Sequence, residues 1–388
     1  MNYQDYLGKA YNPETKQLDM NQAQENTYPK EQLNILLMGA TGVGKSSLIN
    51  ALFGDDIVKT GVGKPVTQNL EKITVKEKGL ILWDTKGIEA QAYAETILAI
   101  EKTIEQSLNT RKHQEAIDVA YLCIKESSSR IEDRDLALLS LAEKFGIPTV
   151  VIFTDTLSKY DEFVEKAKEI INQKFGNFIK DRYVRVNSVK YEIMPGMPIE
   201  QKGLDELYAI TRSLLAEASS NKAKQFDRLQ RVDNKRRLKA MIETGKKSVH
   251  IASAASGTAG ASPIPCSDAP IIAGIQTTMI FTLNNVFDVE AEKNAVLTTI
   301  GGMLSTNVVA QVGKYVVSNI IKCIPGFGSV VGGVVSATIA VALTEAIGMA
   351  YLKVLEHYFN EKTGKVELPE NTEEIVSYFT TVFSYKKL

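Results

Sequence analysis

The sequence predicts an α/β domain with a mainly parallel sheet, followed by a separate all-α domain. From Leu33 to about Ser220, apolar strand-like runs alternate with helical stretches, the pattern of strands joined by crossover helices. Beyond residue 248 the chain becomes small, apolar and nearly uncharged, with charge-free runs at 248–267, 269–287, 294–313 and 323–344. At 388 residues the chain exceeds one ordinary core, so two or three domains are expected. Lys and Arg total 45 against 46 Asp and Glu, so no overall field draws the chain to nucleic acid, and specific DNA binding is not expected. Cys123, Cys266 and Cys323 lie far apart, which argues against a disulfide framework or a Cys/His zinc site.

Residues 1–32 are polar and without periodicity, lack the apolar core of a secretory signal, and read as an N-terminal arm of a cytoplasmic chain. Residues 33–220 form the α/β domain. Its strand candidates are Asn34–Met38, Lys72–Lys76, Leu80–Trp83, Asp118–Ile124, Thr149–Phe153 and Tyr183–Val186. Helical patterns lie near 45–53, 91–109, 132–145, 160–175 and 203–217. The link between the second and third strands is too short for a crossover helix, so those two form a hairpin and the second becomes an antiparallel edge. Residues 221–247 carry ten Lys or Arg (Lys222 through Lys247) against Asp227, Asp233 and Glu243, and read as a basic linker helix. The small-residue helical domain spans 248–360. In 361–388, Ile375, Phe379, Val382 and Phe383 share one face of an amphipathic helix.

Gly39-Ala40-Thr41-Gly42-Val43-Gly44-Lys45-Ser46 follows the first strand and opens the first helix. This is the GxxxxGK[ST] pattern in its proper context. Glycines let backbone wrap closely round phosphates, and exposed N–H groups with a helix N-terminus supply positive potential. Lys45 is placed to reach β- and γ-phosphates, the Ser46 hydroxyl to ligate Mg²⁺, and Ser47 follows at the loop's edge. Asp84 ends the apolar strand Leu80–Trp83 and points a carboxylate toward the same metal, while Gly87 completes DxxG and brings its N–H toward the γ-phosphate.

With Lys45-Ser46-Ser47-Leu48-Ile49-Asn50-Ala51-Leu52 opening the helix, the chain resembles the translation-factor-related GTPases, in particular the Era-like group. The resemblance implies a Ras-like P-loop GTPase fold that uses GTP, GDP and Mg²⁺. It makes Thr67 the threonine that closes on Mg²⁺ and the γ-phosphate, with Thr60 a competing candidate. The family expects [NT]KxD after the fifth strand, where this sequence has Thr154-Asp155-Thr156-Leu157. Thr154 fits, whereas Asp155 replaces Lys and Leu157 replaces the specificity Asp. Asp155 then either reaches the base through a shifted loop or the contact is lost. Asn187-Ser188-Val189-Lys190 resembles the motif whose backbone, here at Ser188 and Val189, bonds the guanine O6. Guanine remains the expected base. Ile88 stands where Ras-type relatives have the water-orienting glutamine, which implies slow intrinsic hydrolysis.

Residues 245–360, with Pro263, Pro265, Asp268 and Ile324-Pro325-Gly326-Phe327-Gly328, resemble the YcjF-like bacterial domain of unknown function. Physics leaves two readings: a soluble or conditionally inserting bundle, or a membrane domain in which 323–344 spans. The expected partners are a guanine nucleotide, an anionic membrane surface contacted through 222–247 and 248–352, and a protein partner or second copy. Three functions fit: a slow GTPase controlling a helical effector domain, a non-hydrolysing nucleotide-dependent scaffold, and a dynamin-like remodelling machine.

Overall fold

The computed structural model describes residues 1–12, 14–15, 17–27, 31–54, 57, 71–85, 97–98, 100–102, 104–105, 116–156, 161–259, 269–289 and 337–385. They divide into an α/β unit, Pro29–Arg237, and a helical unit, Met1–Tyr28 with Leu238–Leu388.

The chain begins in the helical unit. Asn2 caps helix α1 (Tyr3–Leu7) by accepting the Asp5 N–H at 2.7 Å. A short hairpin, β1 (Tyr11–Asn12) with β2 (Gln17–Leu18), leads to α2 (Met20–Glu25). Leu7 and Ala23 are wholly buried, and the Tyr3 N–H donates to Thr258 Oγ1 at 2.9 Å. The first 28 residues of the expected N-terminal arm, 1–32, thus fall within the helical unit. Helices of five and six residues are too short to show a period in sequence.

The α/β unit is built on β3 (Leu33–Met38), α3 (Lys45–Phe53), β4 (Glu71–Val75), β5 (Leu80–Asp84), β6 (Val119–Lys125), α4 (Asp133–Lys144), β7 (Thr149–Thr154), α5 (Glu162–Ile179) and β8 (Tyr183–Val186). The six-stranded sheet has the order β4-β5-β3-β6-β7-β8. All its pairs are parallel except β4 with β5, as the short link between them demands. Both faces are covered, so β3 is buried along its whole length and apolar at every position but Asn34. Leu33, Ile35 and Leu37 enter one core, while Leu36 and Met38 enter the other. The parallel strands run the same way, so the C-terminal ends of β3, β5, β6, β7 and β8 lie along one edge of the sheet. Ligands of open α/β sheets bind at that edge. The hairpin β9 (Tyr191–Met194) and β10 (Met197–Ile199) rises beside it, and α6 (Leu204–Ala218) returns along the sheet.

The basic stretch departs from expectation in two ways. It is not one helix: α7 (Ser220–Leu229) ends and α8 (Asn234–Ala259) begins after a break, where Gln230 Oε1 accepts the Val232 and Asp233 N–H groups at 2.7 Å each. Nor is it wholly solvated. Phe226 is fully buried, stacked on Tyr208 and edge-on to Phe53. Arg228 and Arg237 are 2% and 0% exposed, and their guanidinium groups donate to the carbonyls of Lys78 and Arg228 at 2.6 and 3.0 Å. Lys222 reaches the Asp118 carboxylate at 3.1 Å. Lys222 and Arg228 thus tie α7 onto the sheet, while Lys224, Lys235, Arg236, Lys239, Lys246 and Lys247 stay exposed.

The helical unit continues with α8, α9 (Ala269–Val286), α10 (Ala337–His357), the hairpin β11 (Phe359–Asn360) with β12 (Lys365–Val366), and α11 (Thr372–Tyr385). A Cβ on Gly348 would lie 2.7 Å from Met279 Sδ and both Val249 methyls, so a glycine there lets α8, α9 and α10 pack closely. Two polar pairs form inside: Tyr351 donates to Asn284 Oδ1 at 2.6 Å, and Ser253 to Glu345 Oε2 at 2.8 Å. Ile375, Phe379 and Phe383 of α11 are buried in the same core, so 361–388 is part of this unit. Among the described residues one helix, Ala337–His357, is long and apolar enough to cross a membrane; half of its most apolar stretch is buried here. Most of 323–344, with the Pro325 and Gly326 signature, lies outside the described residues.

Leu7→Ala tests the placement of the N-terminal segment in the helical unit. Loss of a fully buried leucine costs about 2–5 kcal/mol, read as a lower denaturation midpoint of the helical unit. A shift worth less than about 0.5 kcal/mol is what a loose arm gives.

Candidate nucleotide-binding site

The loop between β3 and α3 is shaped by glycines in the left-handed region. Gly39, Gly42 and Gly44 have φ of 131°, 77° and 90°. A Cβ on Gly39 would lie 2.4 Å from the Cys123 carbonyl oxygen of β6, so only glycine lets the loop leave the sheet here. Lys45 opens α3 and is buried. Its ammonium donates to the Gly39 and Ala40 carbonyls at 2.9 and 3.0 Å, and Asp84 Oδ1 stands 3.7 Å away. Leu37 pairs with Asp84 in register, which sets the carboxylate at the end of β5 beside the loop. A buried ammonium is costly without such partners. Behind them, burial pushes the Cys123 thiol up to about 12, so it is no nucleophile.

The second half of the site grows from β6, β7 and β8. Thr154 Oγ1 donates to the Val43 carbonyl at 2.6 Å, so this threonine braces the glycine-rich loop. Asn187 braces the next turn: its Oδ1 accepts the Thr156 N–H at 2.7 Å and its Nδ2 donates to the Thr156 carbonyl at 2.8 Å. Asp155 adopts φ 58° between these two anchors. Its carboxylate accepts from Ser127 Oγ and Tyr191 OH at 2.7 Å each and pairs with Lys125 Nζ at 3.4 Å. Partial burial raises the Asp155 pKa, but hydrogen bonds from Tyr191 and Ser127 and the Lys125 charge outweigh it, holding the carboxyl below its ordinary value. A cavity of about 190 Å³ opens among Gly42, Val43, Gly44, Ser47, Lys125, Thr154, Asp155, Asn187, Ser188, Val189 and Tyr191.

Most residues expected from sequence therefore meet at one place. Gly42 through Gly44, Ser47, Thr154, Asp155, Ser188 and Val189 line the cavity; Gly39, Ala40, Thr41, Lys45, Ser46 and Asp84 form the adjoining loop and strand end. Thr67 and Gly87, with Thr60, Ile88 and Leu157, lie outside the described residues. Sequence reasoning missed Lys125, Tyr191 and the brace by Asn187. Lys125 ends a strand opposite Thr154, a signal that becomes readable once the order of β6 and β7 is known. Tyr191 sits on a hairpin that no strand pattern announced.

Residues 34–155 match the family described as 50S ribosome-binding GTPase. The chain carries a P-loop GTPase domain. It is 27% identical over 169 residues to GTPase Der of a Nitratiruptor species, covering 43% of this chain and 33% of that protein. It is 29% identical over 154 residues to GTPase Der of Campylobacter hominis, covering 39% and 32%. The tRNA modification GTPase MnmE of Bacillus pumilus is 27% identical over 223 residues, covering 57% and 41%. The chain thus spans about a third of the Der proteins and about two fifths of MnmE.

The depressed Asp155 pKa has a pH consequence. A carboxyl held below its unfolded value, about 3.9, stabilises fully above that pH and loses its contribution as pH falls through the lower folded value. Asp155→Asn should lower the urea midpoint near neutral pH, and the gap from wild type should narrow near pH 3. A gap of constant size contradicts the assignment.

Proposed function

We propose that this chain is a guanine-nucleotide switch that binds GTP and GDP with Mg²⁺, hydrolyses GTP slowly, and uses the nucleotide state to control its helical unit. The observation that carries the reading is the register of β3 with β5, which sets Asp84 3.7 Å from the Lys45 ammonium at the mouth of the glycine-rich loop. In this reading the loop N–H groups and Lys45 hold the phosphates. Ser46, Asp84 and Thr67 would hold Mg²⁺; hydroxyl and carboxylate oxygens are the hard donors that ion takes. When bound, the ion neutralises charge on the β- and γ-phosphates. The Gly87 N–H meets the γ-phosphate, so Thr67 and Gly87 distinguish GTP from GDP.

On the base side, Ser188 and Val189 present backbone to the guanine O6. Discrimination against adenine is weaker than a full [NT]KxD loop gives, because Leu157 stands where a carboxylate is expected. The helical unit, YcjF-like in its resemblance, is the effector, contacting an anionic membrane face, a protein partner or a second copy. Exposed Lys235, Arg236, Lys239, Lys246 and Lys247 of α8 support an anionic contact. Arg228 and Arg237 are removed from that patch by burial.

Single-turnover assays with γ-labelled GTP test the switch. Slow, Mg²⁺-dependent phosphate release is expected, and Thr67→Ala should weaken a GTP analogue at least about tenfold while sparing GDP. Binding without release leaves the non-hydrolysing scaffold. Equal losses for GTP and GDP contradict the role of Thr67.

A further inference from the structure

The departure from [NT]KxD places an acid at 155 where the resembled family has a lysine, yet the pocket has a lysine. Lys125 ends β6 in register with Thr154 of β7, one strand spacing away, so its long stem spans the distance that a side chain at 155 would otherwise cover. Its ammonium stands 3.4 Å from Asp155 Oδ2, its side chain is 42% exposed, and it lines the cavity with Gly42, Val43 and Gly44. A partly exposed ion pair contributes only about 0–1 kcal/mol to stability, so folding alone gives little reason for the arrangement. The carboxylate is already held by two hydroxyl donors, Ser127 and Tyr191. An ammonium has three donors and no acceptor, and the ion pair uses one of them.

We propose that Lys125 is the nucleoside clamp of this site, a cation supplied from the neighbouring strand and aimed by Asp155, which Tyr191 and Ser127 hold in place. The proposal rests on the nucleotide-site reading and deepens it. Lys125 donates to the sugar-and-base half of the ligand, whereas the phosphates depend on the glycine-rich loop and Lys45. Asp155 acts through Lys125 as a positioning residue, so the pair is exchangeable in charge.

Calorimetric titration of the full chain with GDP and, separately, with inorganic tripolyphosphate separates the two halves. Lys125→Met should weaken GDP about tenfold or more and leave tripolyphosphate and the urea midpoint unchanged. Asp155→Lys alone should also weaken GDP. The double exchange Lys125→Asp with Asp155→Lys should recover affinity to within about threefold of wild type. Wild-type GDP affinity in Lys125→Met overturns the clamp while leaving the nucleotide site intact, as does a double exchange no better than its single variants. Equal loss of GDP and tripolyphosphate also overturns it, because Lys125 would then act on the loop. A wild-type chain that binds neither ligand overturns the nucleotide-site reading and the clamp with it.

Discussion

A buried ammonium organises this site. Lys45 has little access to water, so the protein must supply its partners. Two loop carbonyls and the carboxylate of Asp84 do so. That requirement fixes the glycine conformations, the end of β5 relative to β3, and the start of α3. An anion entering the loop would replace carbonyl contacts with charge-assisted ones, which are about twice as strong. The resting geometry is therefore primed for phosphate.

The remaining contacts keep that loop in place. Thr154 ties it to β7, Asn187 ties the turn after β7 to β8, and the close approach of Gly39 to Cys123 ties it to β6. Each joins segments at the C-terminal ends of parallel strands, which explains why the site forms where those strands end. The basic segment contributes from the far end. Lys222, Gln225 and Arg228 bind Asp118 and the Lys78 carbonyl, so α7 closes the sheet's lower rim.

The sheet was legible because its inner strands are mostly apolar on both faces and bounded by glycine, proline or charge; every strand of the six-stranded sheet appears within two residues of its expected start. The glycine-rich loop was legible because few sequences satisfy its sterics. The base side was only half legible. Thr154 and Asp155 were found, but the ion pair with Lys125 joins residues 30 positions apart and depends on strand order. The basic stretch misled because composition cannot distinguish an arginine facing water from one capping buried carbonyls, as Arg228 and Arg237 do. The N-terminal helices escaped notice because helices of five and six residues are too short to show a period, although Leu7, Ala10 and Ala23 are buried.

The central claim is that the Lys45 loop is a nucleotide site, and titration of the full chain with a non-hydrolysable GTP analogue tests it most directly. Wild type should bind the analogue in a Mg²⁺-dependent manner, and an ATP analogue should compete poorly. Lys45→Ala should abolish detectable binding, because no other cation is fixed by that loop among the described residues, while the unfolding transition stays cooperative. Unchanged affinity in Lys45→Ala would contradict the account.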